Sequence, residues 1–378
     1  MTDESPMSLI SSFQDLPDPR VAGRCEHKLI DIIVIAVCAV IADAETWVDV
    51  ENFGKAKAEW LKTVLELPAG IPSHDTFGRF FALLDGAAFQ QCFIRWVEGV
   101  FRVTKGQVVA MDGKTLRGSQ DHPNGKKALH LVNAWATLNG IALGQWATAE
   151  KSNEITAIPQ LLRVLDVSGC IVTLDAMGTQ TTIAQAIRAE KADYVLPVKA
   201  NQGHLLQDLQ DWFAYAELVN FAEMPMTYAK TVNKQHGRIE IRQCWALSDP
   251  LAFEYIRHYQ GWTDLQSIVR IQRERRSANK TETETGYYIT SLAPLADLIL
   301  QATRSHWAVE NSLHWVLDVT FREDDARMRS GYAPQNMALL RQLALNILKK
   351  DPSKGSLRTK RYKAALDTTF LETLLLQI

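Results

Sequence analysis

Two short apolar runs, VVAMD ending at Asp112 and IVTLD ending at Asp175, each close on an aspartate. Their length, β-branched content and flanking turn residues make each a buried strand. A strand that ends in a charge sets that charge at a sheet edge, where open α/β sheets place their sites. If the two strands are neighbours, the carboxylates come within a few ångströms of each other. Two isolated carboxylates that close repel. A divalent cation resolves the conflict, and hard oxygen donors favour Mg2+ or Mn2+. Taken singly, each aspartate also suits the start of a turn, Asp112 before Gly113 above all. Matching positions in two strands favour the site.

Around these strands, residues 106–200 read as three strands, a helix, a strand, a helix and a strand, with a hairpin at Asn139-Gly140. That is a hairpin-plus-crossover α/β sheet. Residues 28–103 read as helical. The run LIDIIVIAVCAVIA at 29–42 contains Asp31 and is too short to span a bilayer, and it lacks signal-peptide flanks. It is expected to be a buried helix. Ser73 caps SHDTFGRFFALLD, whose Phe77, Phe80, Phe81 and Leu84 recur at helical spacing. This segment suits either a DNA recognition helix or a packing helix. Residues 1–20, with PDPR, read as a lead-in arm, 201–218 as helix, 226–293 as strand-rich, and 295–321 and 333–350 as helix again. The expected organisation is an N-terminal all-α domain over 1–104, a candidate for binding DNA ends. A catalytic α/β domain over 105–350 follows, with a strand-rich insertion at 201–293, and then a basic tail over 351–378.

A third acid comes from HWAVENSLHWVLD. As a regular helix it lines Val309, Leu313, Val316 and Thr320 along one face. His306, Glu310 and His314 then share the other at four-residue steps. Glu310 is the candidate, and Asp318 its competitor. The polar row also suits a contact between helices. A zinc site on His306, Glu310 and His314 is disfavoured, because the pattern is not HExxH and ligands eight residues apart diverge.

Charge limits the partners. With 41 Lys and Arg against 43 Asp and Glu, the net charge is −2. A small basic DNA-binding module is excluded, and any nucleic-acid surface must be local. Arg270, Arg273, Arg275, Arg276 and Lys280 cluster within 269–280, and Lys349, Lys350, Lys354, Arg358, Lys360, Arg361 and Lys363 within 349–363. Each cluster reads equally as a phosphate contact or as a solvated face. Lys114, Arg117 and Lys199 adjoin the aspartate edge and are stronger candidates. The five cysteines contain no CxxC pair, which argues against a zinc ribbon and suits a reducing cytoplasm.

AMDGKTLRGS, VTLDAMGTQ and HWAVENSLHWVLDVTFREDDARMR resemble the three motif blocks of the H-repeat-associated transposase family. That family belongs to the DDE insertion-sequence transposases, with a ribonuclease-H-like catalytic core. The resemblance covers nearly the whole chain from about Ser8. It implies that Asp112, Asp175 and Glu310 are the catalytic and metal-binding triad, holding two Mg2+ or Mn2+ ions. It further implies hydrolysis at the element's ends followed by strand transfer. The partners expected are DNA, as terminal inverted repeats and target, and a second copy of the chain in the active complex. No membrane is expected, and the site of action is chromosomal DNA in the cytoplasm. Lys114, Arg117, Lys199, Arg304, His306, Asn311 and His314 are expected to support the triad or contact DNA. The interval from Asp175 to Glu310 is more than twice that from Asp112 to Asp175, which implies the insertion at 201–293. A Y-x2-R-x3-E-x6-K signature of hairpin-forming relatives falls here on Thr303, His306 and Leu317, which do not match it. Alternatives are a ribonuclease-H-like nuclease that only cuts and a catalytically silent DNA-binding remnant.

Overall fold

A computed structural model describes residues 9–376, apart from 24, 102, 104, 122–124, 149–153, 236 and 278–279. The start of the expected lead-in arm, including Ser8, lies outside the described residues. The chain forms two compact units that alternate along the sequence. One holds Met1–Val103, Gly113–Asn153 and Glu310–Ile378, the other Thr104–Asp112 and Glu154–Val309.

The first unit begins with helices α1 (Leu9–Phe13), α2 (Leu29–Ile41), α3 (Trp47–Ala56), α4 (Ala58–Val64), α5 (His74–Leu83) and α6 (Gly86–Val100). The arm therefore contains a helix, and Leu9 and Phe13 bury its apolar side. In α2 every residue from Asp31 to Ile41 is buried, so the long apolar run is a core helix. Ser73 accepts the Thr76 N–H at 3.3 Å and caps α5, while Phe77, Phe80 and Phe81 face inward. Packing therefore accounts for the apolar side of α5.

Strand β1 (Val108–Leu116) enters this unit at Gly113. Strands β2 (Leu129–Ala136) and β3 (Ile141–Thr148) pair antiparallel around Gly140, whose φ of 65° favours glycine. Helix α13 (Ala333–Lys350) is buried from Asn336 to Leu348 and packs on α2, α5, α6 and β3. Its Asn346 side chain bonds both backbone groups of Ala142, at 2.9 and 2.8 Å.

The basic segment after residue 350 folds into α14 (Leu357–Leu366) and α15 (Thr368–Leu376). Within it Lys360 and Arg361 are buried. The Arg361 guanidinium donates to the carbonyls of Val40, at 3.0 Å, and Thr320, and stacks over Phe321 at 4.2 Å. Burial pulls its pKa down to about 10, with Asp43 opposing, so it stays charged at neutral pH. These two cations serve the fold rather than forming a free DNA-contacting tail.

The second unit contains Val108–Asp112 of β1, then α7 (Glu154–Val164), β4 (Ile171–Thr173), α8 (Thr181–Ala189), β5 (Asp193–Val198) and α9 (Gly203–Leu218). Strands β6 (Met226–Gln235) and β7 (Arg238–Leu247) follow, then α10 (Pro250–Tyr255), β8 (Ser267–Ser277), β9 (Lys280–Thr290) and α11 (Ala296–His306). The nine strands run β3-β2-β1-β4-β5-β9-β8-β7-β6. The first five are the ribonuclease-H-like core, with β1, β4 and β5 parallel.

Residues 201–293 lie between β5 and α11, but the strands of this expected insertion do not stand apart from the central sheet. Strand β9 pairs antiparallel with β5, from Val195 with Thr290 to Val198 with Tyr287, and β8, β7 and β6 extend the same sheet. The cause is the open edge of β5, whose backbone groups need partners. Helix α11 covers this joined surface. Its Ala296, Ile299, Leu300 and Ala302 cluster with Val108, Ile171, Val195, Ala229, Cys244, Ala246, Val269 and Ile271. No helix among the described residues is long and apolar enough to cross a membrane.

Replacing Arg361 with Met should lower stability by about 3 kcal/mol, because charge-assisted bonds to buried carbonyls are lost. Arg358→Ala, on the exposed side of α14, should change it by less than about 0.5 kcal/mol. Urea unfolding of the two variants checks the ranking, and equal effects would contradict it.

Candidate active site

In the second unit, β1 and β4 pair in parallel as Val108 with Ile171, Val109 with Val172 and Ala110 with Thr173. Asp112 and Asp175 each stand two residues beyond the last of these pairs. They thus occupy matched positions just past the paired stretch of two strands about 4.8 Å apart. Asp112 does not close its strand as expected, because β1 runs on to Leu116, whereas Asp175 lies beyond the end of β4. Both are half-buried. Asp175 ends its strand by capping the 3-10 turn Ala176–Gly178, its Oδ1 accepting the Gly178 N–H at 3.2 Å. A side chain at Gly178 would bring its Cβ within 2.8 Å of the Leu174 Cβ, so this tight turn needs glycine.

The segment is tied to the end of β5. Thr179 donates to the Pro197 carbonyl at 2.6 Å, Asn201 to the Ala176 carbonyl at 2.6 Å and Gln202 to the Thr179 carbonyl at 2.8 Å. None of Thr179, Asn201 or Gln202 stood out in the sequence, because their partners are backbone carbonyls. Asp175 has no cationic partner among the described residues.

His306 closes α11 and shares a 3.1 Å hydrogen bond between its Nδ1 and the Thr173 hydroxyl. Thr173 lies two residues before Asp175 in the same extended run. Burial, and then the nearby Lys199 charge, push the His306 pKa down to about 4. The ring is therefore a neutral hydrogen-bonding group at pH 7. Lys199 and Arg304 are exposed in the same unit.

In the first unit, the segment after α11 winds through a π-helical turn, Glu310–His314, into α12 (Trp315–Val319). A π turn holds more residues per turn than an α turn. The even row of His306, Glu310 and His314 expected from a regular helix is corrected accordingly. Its apolar side holds, with Val309, Leu313 and Val316 buried. Glu310 and Asn311 are exposed.

His314 Nε2 lies 3.3 Å from the amide nitrogen of Asn133 on β2. Gln342 of α13 donates to Asn133 Oδ1 at 2.8 Å and to Gln145 Oε1 at 2.9 Å, and Gln145 donates to the Gln335 carbonyl at 2.9 Å. This buried amide chain, which crosses two strands and a helix, was invisible in the sequence.

Lys114, expected to support the triad or contact DNA, is buried in an ion-pair cluster. Its side chain is 8% exposed, with Nζ 2.5 Å from Asp318 Oδ1 and 2.6 Å from Glu323 Oε2. Burial alone would lower its pKa, but Glu323 and Asp318 outweigh burial and raise it, so the ammonium stays charged. Breaking such a pair leaves a buried charge uncompensated, at about 3–5 kcal/mol. Arg117 remains exposed, 3.5 Å from Asp324. Beside it, Gly118 passes so close to Ala326 that a Cβ would sit 2.0 Å from the Ala326 carbonyl oxygen. LRGS in the first motif block thus packs on DDARM in the third.

The 269–280 cluster is largely neutralised. Arg270 pairs with Glu217 and stacks over Trp245, Arg275 pairs with Glu240, Arg276 with Glu274 and Lys280 with Glu282. A cavity of about 590 Å³ beside α3 and α5 carries Arg79, Arg322 and Arg327 against Glu45, Asp75 and Asp325. Among the described residues, no three His, Cys, Asp or Glu side chains gather closely enough to hold a metal ion.

The depressed His306 pKa has a testable sign. The folded value lies below the ordinary 6.5, so His306 contributes full stability above pH 6.5 and loses it as the pH falls toward 4. By NMR its ring should stay neutral until about pH 4. A midpoint near 6.5 would contradict this placement.

The family profile described as "Transposase DDE domain" matches residues 104–347, and the one described as "DDE_Tnp_1-associated" matches residues 10–97. The chain is 39% identical over 371 residues to "Putative transposase YncI" of Escherichia coli O157:H7, covering 97% of this chain and 94% of that protein. It is 38% identical over 377 residues to "H repeat-associated putative transposase YhhI" of Escherichia coli strain K12, covering 97% of each. A piggyBac transposase in a synaptic complex with hairpin DNA is a remote structural likeness. It shares 11% identity at a TM-score of 0.42, over 97% of this chain and 77% of that one. With the transposase profile spanning most of its length and full-length relatives well above 30% identity, the chain belongs to the DDE transposase family.

Proposed function

We propose that this chain is an active transposase that cleaves DNA at the ends of an insertion sequence and joins those ends to target DNA. In this reading Asp112, Asp175 and Glu310 form its acidic triad. The observation that carries the reading is the matched position of Asp112 and Asp175, each two residues past the last pair of the parallel strands β1 and β4. The assignment of Glu310 rests on its motif block and is supported by its exposed carboxylate.

The donors suit Mg2+ or Mn2+. Asp112 and Asp175 supply hard carboxylate oxygens, and Asp175 has no cationic partner among the described residues. Asp112, Asp175 and Glu310 would hold two such ions, which supply Lewis acidity for displacement at phosphorus. The chain's own residues do the rest. The two strands fix the aspartates, and the Gly178 bond restrains Asp175 from swinging. Neutral His306 holds Thr173 without adding a cation that competes for the carboxylates. Exposed Lys199 and Arg304 offer charge for phosphate oxygens, which positions DNA without reading its sequence.

The nucleophile is water in cleavage and a DNA 3′-hydroxyl in joining, so no covalent protein–DNA intermediate arises. The substrates are terminal inverted repeats and target DNA, and two copies of the chain act in one complex. Its place of action is chromosomal DNA in the cytoplasm.

Asp112→Asn, Asp175→Asn and Glu310→Gln should each reduce cleavage by about a thousandfold or more, the equivalent of several kcal/mol of lost transition-state stabilisation. Each should still shift DNA on a gel. Full cleavage by any variant, on DNA carrying the sequences that flank this gene, would remove that residue from the triad.

Mg2+ and Mn2+ should support cleavage and Ca2+ should not, because calcium's longer, looser coordination does not impose in-line geometry. Cleavage that persists in EDTA would contradict the metal-dependent reading.

A further inference from the structure

We infer that Lys114 is a positioning residue, which holds the segment carrying Glu310 against β1 through a buried ion-pair cluster with Asp318 and Glu323. The inference rests on the proposed role of Glu310 as third acid. Lys114 lies on β1 two residues after Asp112, and therefore on the same side of the strand. Its ammonium meets Asp318 on α12 at 2.5 Å and Glu323, just beyond α12, at 2.6 Å. Glu323 is itself 2% exposed and lies 4.0 Å from Arg341 on the buried face of α13.

Two acids from one segment thus converge on one cation from another, with a second cation behind them. A buried cluster of this kind tolerates little displacement, because moving either side leaves charge unpaired. The π turn makes such a clamp useful. Residues 310–314 lack the regular α-helical ladder, so the angle of Glu310 depends on what anchors the residues after it. Val316 and Leu317 anchor the apolar side of α12, and Asp318 anchors its polar side. The arrangement also explains why Lys114 sits in the first motif block while Asp318 and Glu323 sit in the third. Those residues are far apart in sequence and act as one unit.

The test uses the full chain, first without DNA. In Lys114→Met, hydrogen exchange across residues 310–319 should accelerate by about tenfold, while α2 in the same unit keeps its protection. Asp318→Asn, a milder change, should loosen the same residues and decides the matter if Lys114→Met does not fold. On DNA carrying the gene's flanking sequences, kcat should fall by about a hundredfold with KM unchanged, as expected for a misplaced group rather than a lost DNA contact. Lys114→Arg, which keeps the charge, should recover most of both losses. Unchanged exchange at 310–319, loosening spread evenly over the unit, or a raised KM with normal kcat would each overturn the proposal. If the wild-type chain does not cleave, the proposed function fails, and the exchange measurement still decides whether Lys114 clamps this segment.

Discussion

Parallel pairing of β1 with β4 is the constraint on which the rest of the structure depends. Because Ala110 pairs with Thr173, the next side chains on the same side of each strand are Asp112 and Asp175. A one-residue slip would turn one carboxylate to the opposite face and separate the pair. The register is secured from below by apolar contact, since Val108, Ile171 and Val195 share one cluster with α11. It is secured at the site end by the Asp175-capped turn and its bonds to the end of β5. Burial thus holds in place two like charges that would otherwise move apart.

Much of this was legible in the sequence. The buried helix α2, the Ser73 cap, the hairpin at Asn139-Gly140 and the two apolar strands leading into Asp112 and Asp175 follow from local pattern, although β1 runs on past Asp112 to Leu116. Each is set by residues within a few positions of one another, and neighbouring residues are what pattern reports. The attachment of residues 226–290 to the sheet was not legible. Their alternation marks them as strands, but β9 finds β5 some ninety residues away, and nothing local says which edge it will meet. The π turn at Glu310–His314 was hidden for a related reason. The residues have helical spacing, and only their tertiary setting adds the extra residue to the turn.

Charge was the least legible property. Lys114, Arg270, Lys360 and Arg361 look like surface cations in the sequence, yet all four are buried. Their partners come from distant segments. Asp318 and Glu323 hold Lys114, Glu217 and Trp245 hold Arg270, and Asp351 holds Lys360 at 3.0 Å. A chain with net charge −2 therefore has fewer cations available to DNA than a count suggests. Those still exposed include Arg117, Lys199, Arg304 and Arg327, all within or near the motif blocks or β5. Phosphate affinity in such a protein depends on a few placed groups rather than on overall charge.

The central claim is that Asp112 and Asp175 act together on one divalent ion. Titrating the full chain with Mn2+ and reading free Mn2+ by electron paramagnetic resonance tests it without requiring catalysis. The account predicts that the wild-type chain takes up Mn2+ and that Asp112→Asn and Asp175→Asn each lose at least about tenfold in affinity, as removing a direct ligand should cost no less than disturbing an outer one. Mn2+ uptake unchanged in both variants would contradict it.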